Sequence, residues 1–316
     1  MKKIIIRTPN FIGDTINTTP CLELIKQEYP EAEFTIVGPD FVRELFKYDP
    51  RITHYITFPL KRKKKLSTYW KIVRELRKEN GELGVIFVNT FISALLFRLG
   101  NVKKNIGYNR EGRGFLLDFS PEINYINRYA FLFNEYIGNK YVYLPELSLR
   151  YTGQKTFQFD NSHKTIALYL GGENKEFRKY PDEYAVQLLR LLNRQGYNLL
   201  LIGDENDNIK HTQYAEEARI DHLINLTART TIEGFINTIA NVDLIITIDS
   251  SALHIAAAVK TPFIALMGLS TSPTSTILPK VPLGRILKIE NNLIREEDYI
   301  RNITPDLILK TISELI

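Results

Sequence analysis

At 316 residues, 44% hydrophobic and 11% aromatic, the chain is long enough for two α/β domains and has the composition of an ordinary globular protein. Forty-one Lys and Arg against 36 Asp and Glu leave a net charge of +5, a mild excess whose meaning depends on where it lies. A single cysteine, Cys21, excludes an internal disulfide and a cysteine-based metal cluster and fits a reducing compartment. The opening MKKIIIRTPN has too few apolar residues for a signal peptide, and the apolar window Leu83 to Leu99 is too short and too interrupted to span a bilayer. A cytoplasmic protein is expected.

In chain order, Ile4 to Ile6 form a short apolar strand running into RTPNFIGD. Thr15 to Tyr29 then carry helical spacing, with Ile16, Leu22 and Ile25 inward. Phe34 to Val37 make the next strand. A helix after Pro39, a strand near Tyr55 to Phe58, a helix from Leu66, a strand at Val85 to Val88 and a helix from Phe91 follow. This alternation predicts a parallel, doubly wound sheet.

Asp14 follows Gly13 in the loop after the first strand. There it reads as an N-cap, or as a carboxylate at the ligand-binding edge of the sheet, available as a general base. No G-x-G-x-x-G follows this strand and no G-K-S/T occurs anywhere, which disfavours dinucleotide binding in this half and a P-loop. KRKKK, Lys61 to Lys65, is the concentrated charge run. It leads into a helix with Leu66, Tyr69, Trp70, Val73 and Leu76 on one face and Lys71, Arg74 and Lys78 on another. This is a solvated basic helix, or a surface for a phosphorylated substrate or a membrane interface. Arg110 and Arg113, in GYNREGRG, offer guanidinium groups in a glycine-flexed loop, for an anion or as surface decoration.

From Tyr141 to Lys164 the period lapses and Pro145, Gly153 and Asn161 gather, which places the interdomain connection there. Alternation resumes with a strand at Thr165 to Leu170, a helix from Pro181, a strand at Leu199 to Ile202, a helix near Asn208 to Ala218, a strand at Leu223 to Leu226 and a helix near Thr231. The stretch from Val242 to Gly268 is one βαβ unit: a strand at Leu244 to Ile248, a polar turn at Asp249 to Ser251, a small-residue helix at Ala252 to Val259, and a strand at Phe263 to Met267. Asp249 or Ser250 can cap that helix, whose first-turn N–H groups suit an anion, and His254 lies one turn in. Gly171 and Gly172, followed by Arg178 and Lys179, suggest a pyrophosphate clamp, and Asp204, Glu205 and Asp207 in GDEND suit ribose hydroxyls. Separately these read as a flexible loop, an acidic turn and a helix cap. Together, on one sheet edge, they predict a nucleotide site.

GD opening the first helix, a Gly-Gly loop ending in R-K-Y-P, NTFISALLFRLG followed by GYNREGRG, and D-S-S-A-L-H-I-A-A-A before a strand ending in MG together resemble the heptosyltransferases of glycosyltransferase family 9. The resemblance implies two Rossmann-like domains in the GT-B arrangement with an interdomain cleft. Residues 1–150 would bind the acceptor and residues 151–316 the nucleotide sugar, with the final helix a candidate to return to the first domain. It implies a metal-independent, cofactor-free, inverting transfer of heptose from ADP-heptose to the lipopolysaccharide inner core, in the cytoplasm or peripherally on the inner membrane.

Asp14 matches the family's proposed base, and Arg178 stands where a phosphate-binding Lys is usual. Glu205 stands where an acid contacts the adenosine portion, and Asp249, Ser250 and His254 where the diphosphate is held. Thr230 aligns near a nucleotide contact, and Ser251 replaces a common Gly. Gly171, Gly172 and Lys179 complete the donor set. Lys61, Arg62, Lys64, Arg110 and Arg113 fall in the half that binds the anionic acceptor.

The chemistry is consistent with this. Cleaving the sugar–phosphate bond develops negative charge on the departing ADP, which N–H groups, His254 and Arg178 can stabilise. The chain contains no D-x-D motif for a divalent ion. The alternatives are another nucleotide-sugar transferase or an epimerase, an NAD-dependent dehydrogenase, and a non-catalytic protein of anionic surfaces. Nucleic acid is disfavoured because the aromatics form no stacking series.

Overall fold

A computed structural model describes the whole chain except residues 61–65, 123–128, 161, 270–280 and 290–294. It separates into two compact units, Met1–Arg150 and Tyr151–Ile316, the division falling inside the stretch where periodicity lapses.

In the first unit, β1 (Lys3–Arg7) is buried from Ile4 onward on both faces, as a parallel strand covered by helices on either side must be. It is followed by α1 (Ile12–Ile16), α2 (Thr19–Glu28), β2 (Glu33–Gly38), α3 (Phe41–Leu45), β3 (Ile52–Thr57), α4 (Leu66–Glu79), β4 (Leu83–Ile86), α5 (Phe91–Leu99), β5 (Lys104–Gly107) and α6 (Tyr129–Tyr136). The strands pair in parallel in the order β3-β2-β1-β4-β5. Ile5, Val37, Ile56 and Ile86 pack with Ile72, Val73, Leu76 and Phe97 of the covering helices. Each such fully buried side chain contributes on the order of 1.5–3 kcal/mol.

The second unit runs β6 (Thr165–Tyr169), α7 (Asp182–Arg194), β7 (Asn198–Leu201), α8 (Asn208–Ala218), β8 (Leu223–Asn225), α9 (Ile232–Ala240), β9 (Leu244–Ile248), α10 (Ser251–Val259), β10 (Phe263–Leu266), β11 (Gly284–Leu287) and α11 (Pro305–Ile312). Its parallel order, β8-β7-β6-β9-β10-β11, repeats that of the first sheet with a sixth strand added. The C-terminal helix α11 buries Ile308 and Ile312 in this unit's core, beside Leu188 and Leu192 of α7. In each sheet the winding reverses at the central pair, β1 with β4 and β6 with β9. The loops leaving those strands flank the switch point at which open α/β sheets bind ligands.

Three local features differ from expectation. The helix predicted over Thr15 to Tyr29 is two helices, because Pro20 has no N–H to donate and its ring would clash with the Ile16 carbonyl of an uninterrupted helix. That carbonyl accepts from the Thr19 hydroxyl instead, at 2.8 Å. Strand β4 ends at Ile86 rather than Val88, whose carbonyl accepts from the Arg113 guanidinium rather than from a neighbouring strand. On α4 the buried stripe is Ile72, Val73 and Leu76, while Leu66 and Trp70, predicted on the same face, are exposed.

Candidate active site

The first candidate region is the loop and helix after β1. Asp14 is the third residue of α1, not its N-cap. That position is Phe11, whose backbone is extended and whose side chain makes no capping bond. A carboxylate in the first helical turn is favoured by the helix dipole. Asp14 is half-buried, and its negative charge, after burial, helps hold the Tyr129 phenol above its ordinary range. Tyr129 is therefore a protonated neighbour of Asp14. It lies in α6, a helix apolar nearly all round whose weak periodicity left it unread in the sequence.

Arg7 is a second residue that sequence reasoning missed. It is 1% exposed, with its guanidinium 4.0 Å from the Phe58 ring centroid. It donates to the Thr8 carbonyl and, at 2.9 Å, to Asn10 Oδ1. Burial lowers its pKa to about 9, leaving it a cation that fastens the turn between β1 and α1.

Of the acceptor residues expected from sequence, Lys61, Arg62 and Lys64 lie outside the described residues. Arg110 is exposed at the end of β5. Arg113 is a correction: it is fully buried, and its guanidinium donates to the carbonyls of Tyr108 (2.9 Å), Val88 and Thr90 (3.3 Å). It braces the loops after β4 and β5 from within, and its burial removes it from any exposed anion grip.

In the second unit the donor residues expected from sequence come off four adjacent strands, β8, β7, β6 and β9. Gly171 has φ +81°, a conformation that side chains rarely adopt. A Cβ on Gly172 would stand 2.5 Å from the Asn206 carbonyl oxygen and 2.8 Å from Asp207 Cα. The close backbone approach that the glycine pair permits is thus made by the loop after β7.

Asp207, fully buried, closes that contact. One oxygen accepts from Gly172 N–H at 2.6 Å and the other from Asp204 N–H at 2.9 Å. It is therefore spent on locking the two loops together, and burial raises its carboxyl. Asp204 caps the short turn and pairs with Lys175 at 2.8 Å. Burial works to raise the Asp204 carboxyl, but the bond and charge of Lys175 prevail and lower it. Lys175, unread in the sequence beside the more obvious Arg178–Lys179 pair, also lies 5.6 Å from the Tyr169 ring centroid. Glu205 remains exposed at the same edge.

Arg178 donates to the Asp249 carbonyl at 3.3 Å, joining the loop after β6 to the turn after β9. Lys179 points its charge elsewhere, 3.0 Å from Asp182 in the first turn of α7. Ser250, not Asp249, caps α10: its hydroxyl accepts from Ala252 N–H at 3.2 Å and pairs with the Thr247 hydroxyl at 3.0 Å. Ser251 begins the helix with no positive φ, so the backbone does not require glycine there. His254, 6% exposed, has its pKa pushed down to about 4 by burial and is neutral near pH 7. Thr230 is half-buried just before Thr231, which caps α9.

The assembled edge brings together the Arg178 guanidinium, the neutral His254 and the capped N-terminus of α10, with the exposed carboxylate of Glu205 two strands away. No helix among the described residues is long and apolar enough to cross a membrane.

Comparison with known proteins identifies the source of this arrangement. The profile of glycosyltransferase family 9 (heptosyltransferase) matches residues 69–297. A lipooligosaccharide heptosyltransferase 2 of Haemophilus influenzae is 26% identical over 344 aligned positions, covering 99% of both chains. The structure of an Escherichia coli ADP-heptose lipopolysaccharide heptosyltransferase II superposes with a TM-score of 0.85 at 21% identity, over 100% of this chain and 98% of that one. An Escherichia coli heptosyltransferase with ADP gives a TM-score of 0.79 at 15% identity, over 99% and 100% of the two chains. With two doubly wound α/β units in place and a family match across most of its length, this chain belongs to glycosyltransferase family 9.

Proposed function

We propose that the protein transfers heptose from ADP-heptose to the inner core of lipopolysaccharide, with inversion and without a metal ion. The observation that carries the reading is the contact of Arg178 with the Asp249 turn, which sets a guanidinium against the N-terminus of α10 where a diphosphate would lie. Helix N–H groups and a permanent cation stabilise a departing ADP most as its charge develops, which is where stabilisation accelerates the reaction. His254 acts there as a neutral N–H donor. In this reading the Gly171–Gly172 turn, held by Asp207, shapes the floor of the site, and the exposed Glu205 takes the ribose hydroxyls. The names of the relatives and the ADP bound by one structural neighbour support the same donor.

On the acceptor side, Asp14 takes the proton of the attacking hydroxyl, which adds to the anomeric carbon opposite the leaving phosphate. The hydroxyl oxygen gains the bond to carbon, the phosphate oxygen leaves with the electron pair, and the proton ends on the Asp14 carboxylate. The anionic acceptor is assigned to the first unit, where Arg110 is exposed. Calorimetric titration with ADP, UDP and GDP, with and without magnesium, tests the donor assignment. Selective ADP binding that magnesium does not change is expected, and preference for UDP or GDP would replace the donor.

A further inference from the structure

The sheet edge that carries Asp14 also exposes three large aromatic rings. Phe11 is 73% exposed, Phe91 36% and Phe115 76%. They leave the ends of three neighbouring strands: Phe11 follows β1, Phe91 opens α5 after β4, and Phe115 follows β5. The Phe91 and Phe115 rings face one another with centroids 6.1 Å apart, tilted by 51°.

None is surplus core. The chain buries Leu116 in the core below while turning its neighbour Phe115 out. Phe11 incurs a double local cost, since it fills an N-cap position where Ser, Thr, Asp or Asn would be about 1 kcal/mol better and presents an aromatic ring to water. Sequences depart from local preference in this way chiefly at functional sites.

We propose that Phe11, Phe91 and Phe115 form a stacking platform for sugar rings of an anionic oligosaccharide acceptor, with Arg110 beside it for the acceptor's negative groups. This rests on the transferase reading above. A pyranose presents one face of C–H groups, apolar and weakly positive, that matches the negative face of an aromatic ring. Its hydroxyls need polar partners at the rim, and Asn109, Arg110 and Glu111 are exposed on the same loop. Glu111 also argues against a bilayer as occupant. Its Oε2 accepts from Phe91 N–H at 3.1 Å, setting a carboxylate against the base of the platform, where burial under acyl chains would disfavour it. Phe11 lies three residues before Asp14, so a sugar stacked there sits close to the base.

The test is binding of the full chain to a lipopolysaccharide core oligosaccharide freed of fatty acids, alongside ADP as a control. Phe115→Ala, Phe115→Leu and the double variant Phe91→Ala with Phe115→Ala should each weaken the oligosaccharide about tenfold or more, while Phe115→Trp retains affinity and ADP binds all of them as it binds the wild type. Full affinity in Phe115→Leu would mean a plain apolar contact and would overturn the stacking assignment. Losses seen only with acylated substrate in phosphatidylglycerol vesicles would overturn it in favour of a lipid surface. A wild type that binds ADP but no oligosaccharide overturns the platform alone, whereas failure to bind ADP overturns the transferase reading itself.

Discussion

Asp14 combines a half-buried carboxylate, the first turn of a helix and a protonated tyrosine neighbour, and the role proposed for it as base is separable from binding. Asp14→Asn preserves its shape and removes its basicity. Transfer should fall by about 10²–10⁴-fold with the ADP dissociation constant unchanged. Full retained activity would remove Asp14 from the chemistry.

Two buried histidines give a second residue-level prediction. Burial lowers His211 and His254 from 6.5 to about 4. Above pH 7 folded and unfolded states are both neutral at these sites and nothing is lost. As pH falls through the window from about 6.5 to about 4, the unfolded chain takes up a proton at each histidine that the folded chain refuses, so stability declines. The full loss is roughly 3 kcal/mol per histidine by linkage. Urea midpoints at pH 7, 6 and 5 should therefore fall steadily, and a flat profile would contradict the neutral, buried imidazoles.

The βαβ unit at Leu244–Leu266 was legible because its strands are buried, almost wholly apolar runs, with the polar turn and Ala-rich helix marking the change of period. Shorter elements were harder to read. Strand β5, four residues with one large apolar side chain, was expected only as a strand before GYNREGRG, and β11, a half-exposed edge strand, carries no period to read.

What could not be read at the site is direction. GGENKEFRKYP displays three cations, but only packing decides that Lys175 turns to Asp204, Lys179 to Asp182 and Arg178 to the Asp249 carbonyl. Arg113 likewise looks like a surface group in a glycine-rich loop until its three carbonyl partners are seen. Arg113→Leu should lower the melting temperature by stranding those buried acceptors while leaving ADP affinity intact. An unchanged melting temperature would deny it the bracing role.

Gly172 is the hinge of the loop lock. Gly172→Ala places a methyl against the backbone of Asn206 and Asp207, so the two loops must part. ADP affinity should fall, with about 1–3 kcal/mol lost from folding. An alanine variant with wild-type ADP affinity would show that the donor does not depend on this contact.

At the scale of the whole molecule, the same winding occurs twice, and in both units the residues singled out for chemistry gather at the ends of the central strands. That repetition was visible as alternation in the sequence, because parallel strands buried on both faces read as continuous apolar runs. The proposed division of labour rests on which side chains each edge carries: a carboxylate with exposed aromatics and Arg110 in the first unit, and a guanidinium, a buried imidazole and a helix N-terminus in the second.

The most direct measurement is transfer itself. The purified chain is incubated in EDTA with ADP-heptose and with lipopolysaccharide cores carrying no heptose or one heptose, with the product weighed by mass spectrometry and its anomeric configuration read by NMR. One added heptose of inverted configuration, unaffected by EDTA and abolished in Asp14→Asn, is the predicted result. Transfer only from a UDP or GDP sugar, or transfer that EDTA stops and magnesium restores, would contradict it.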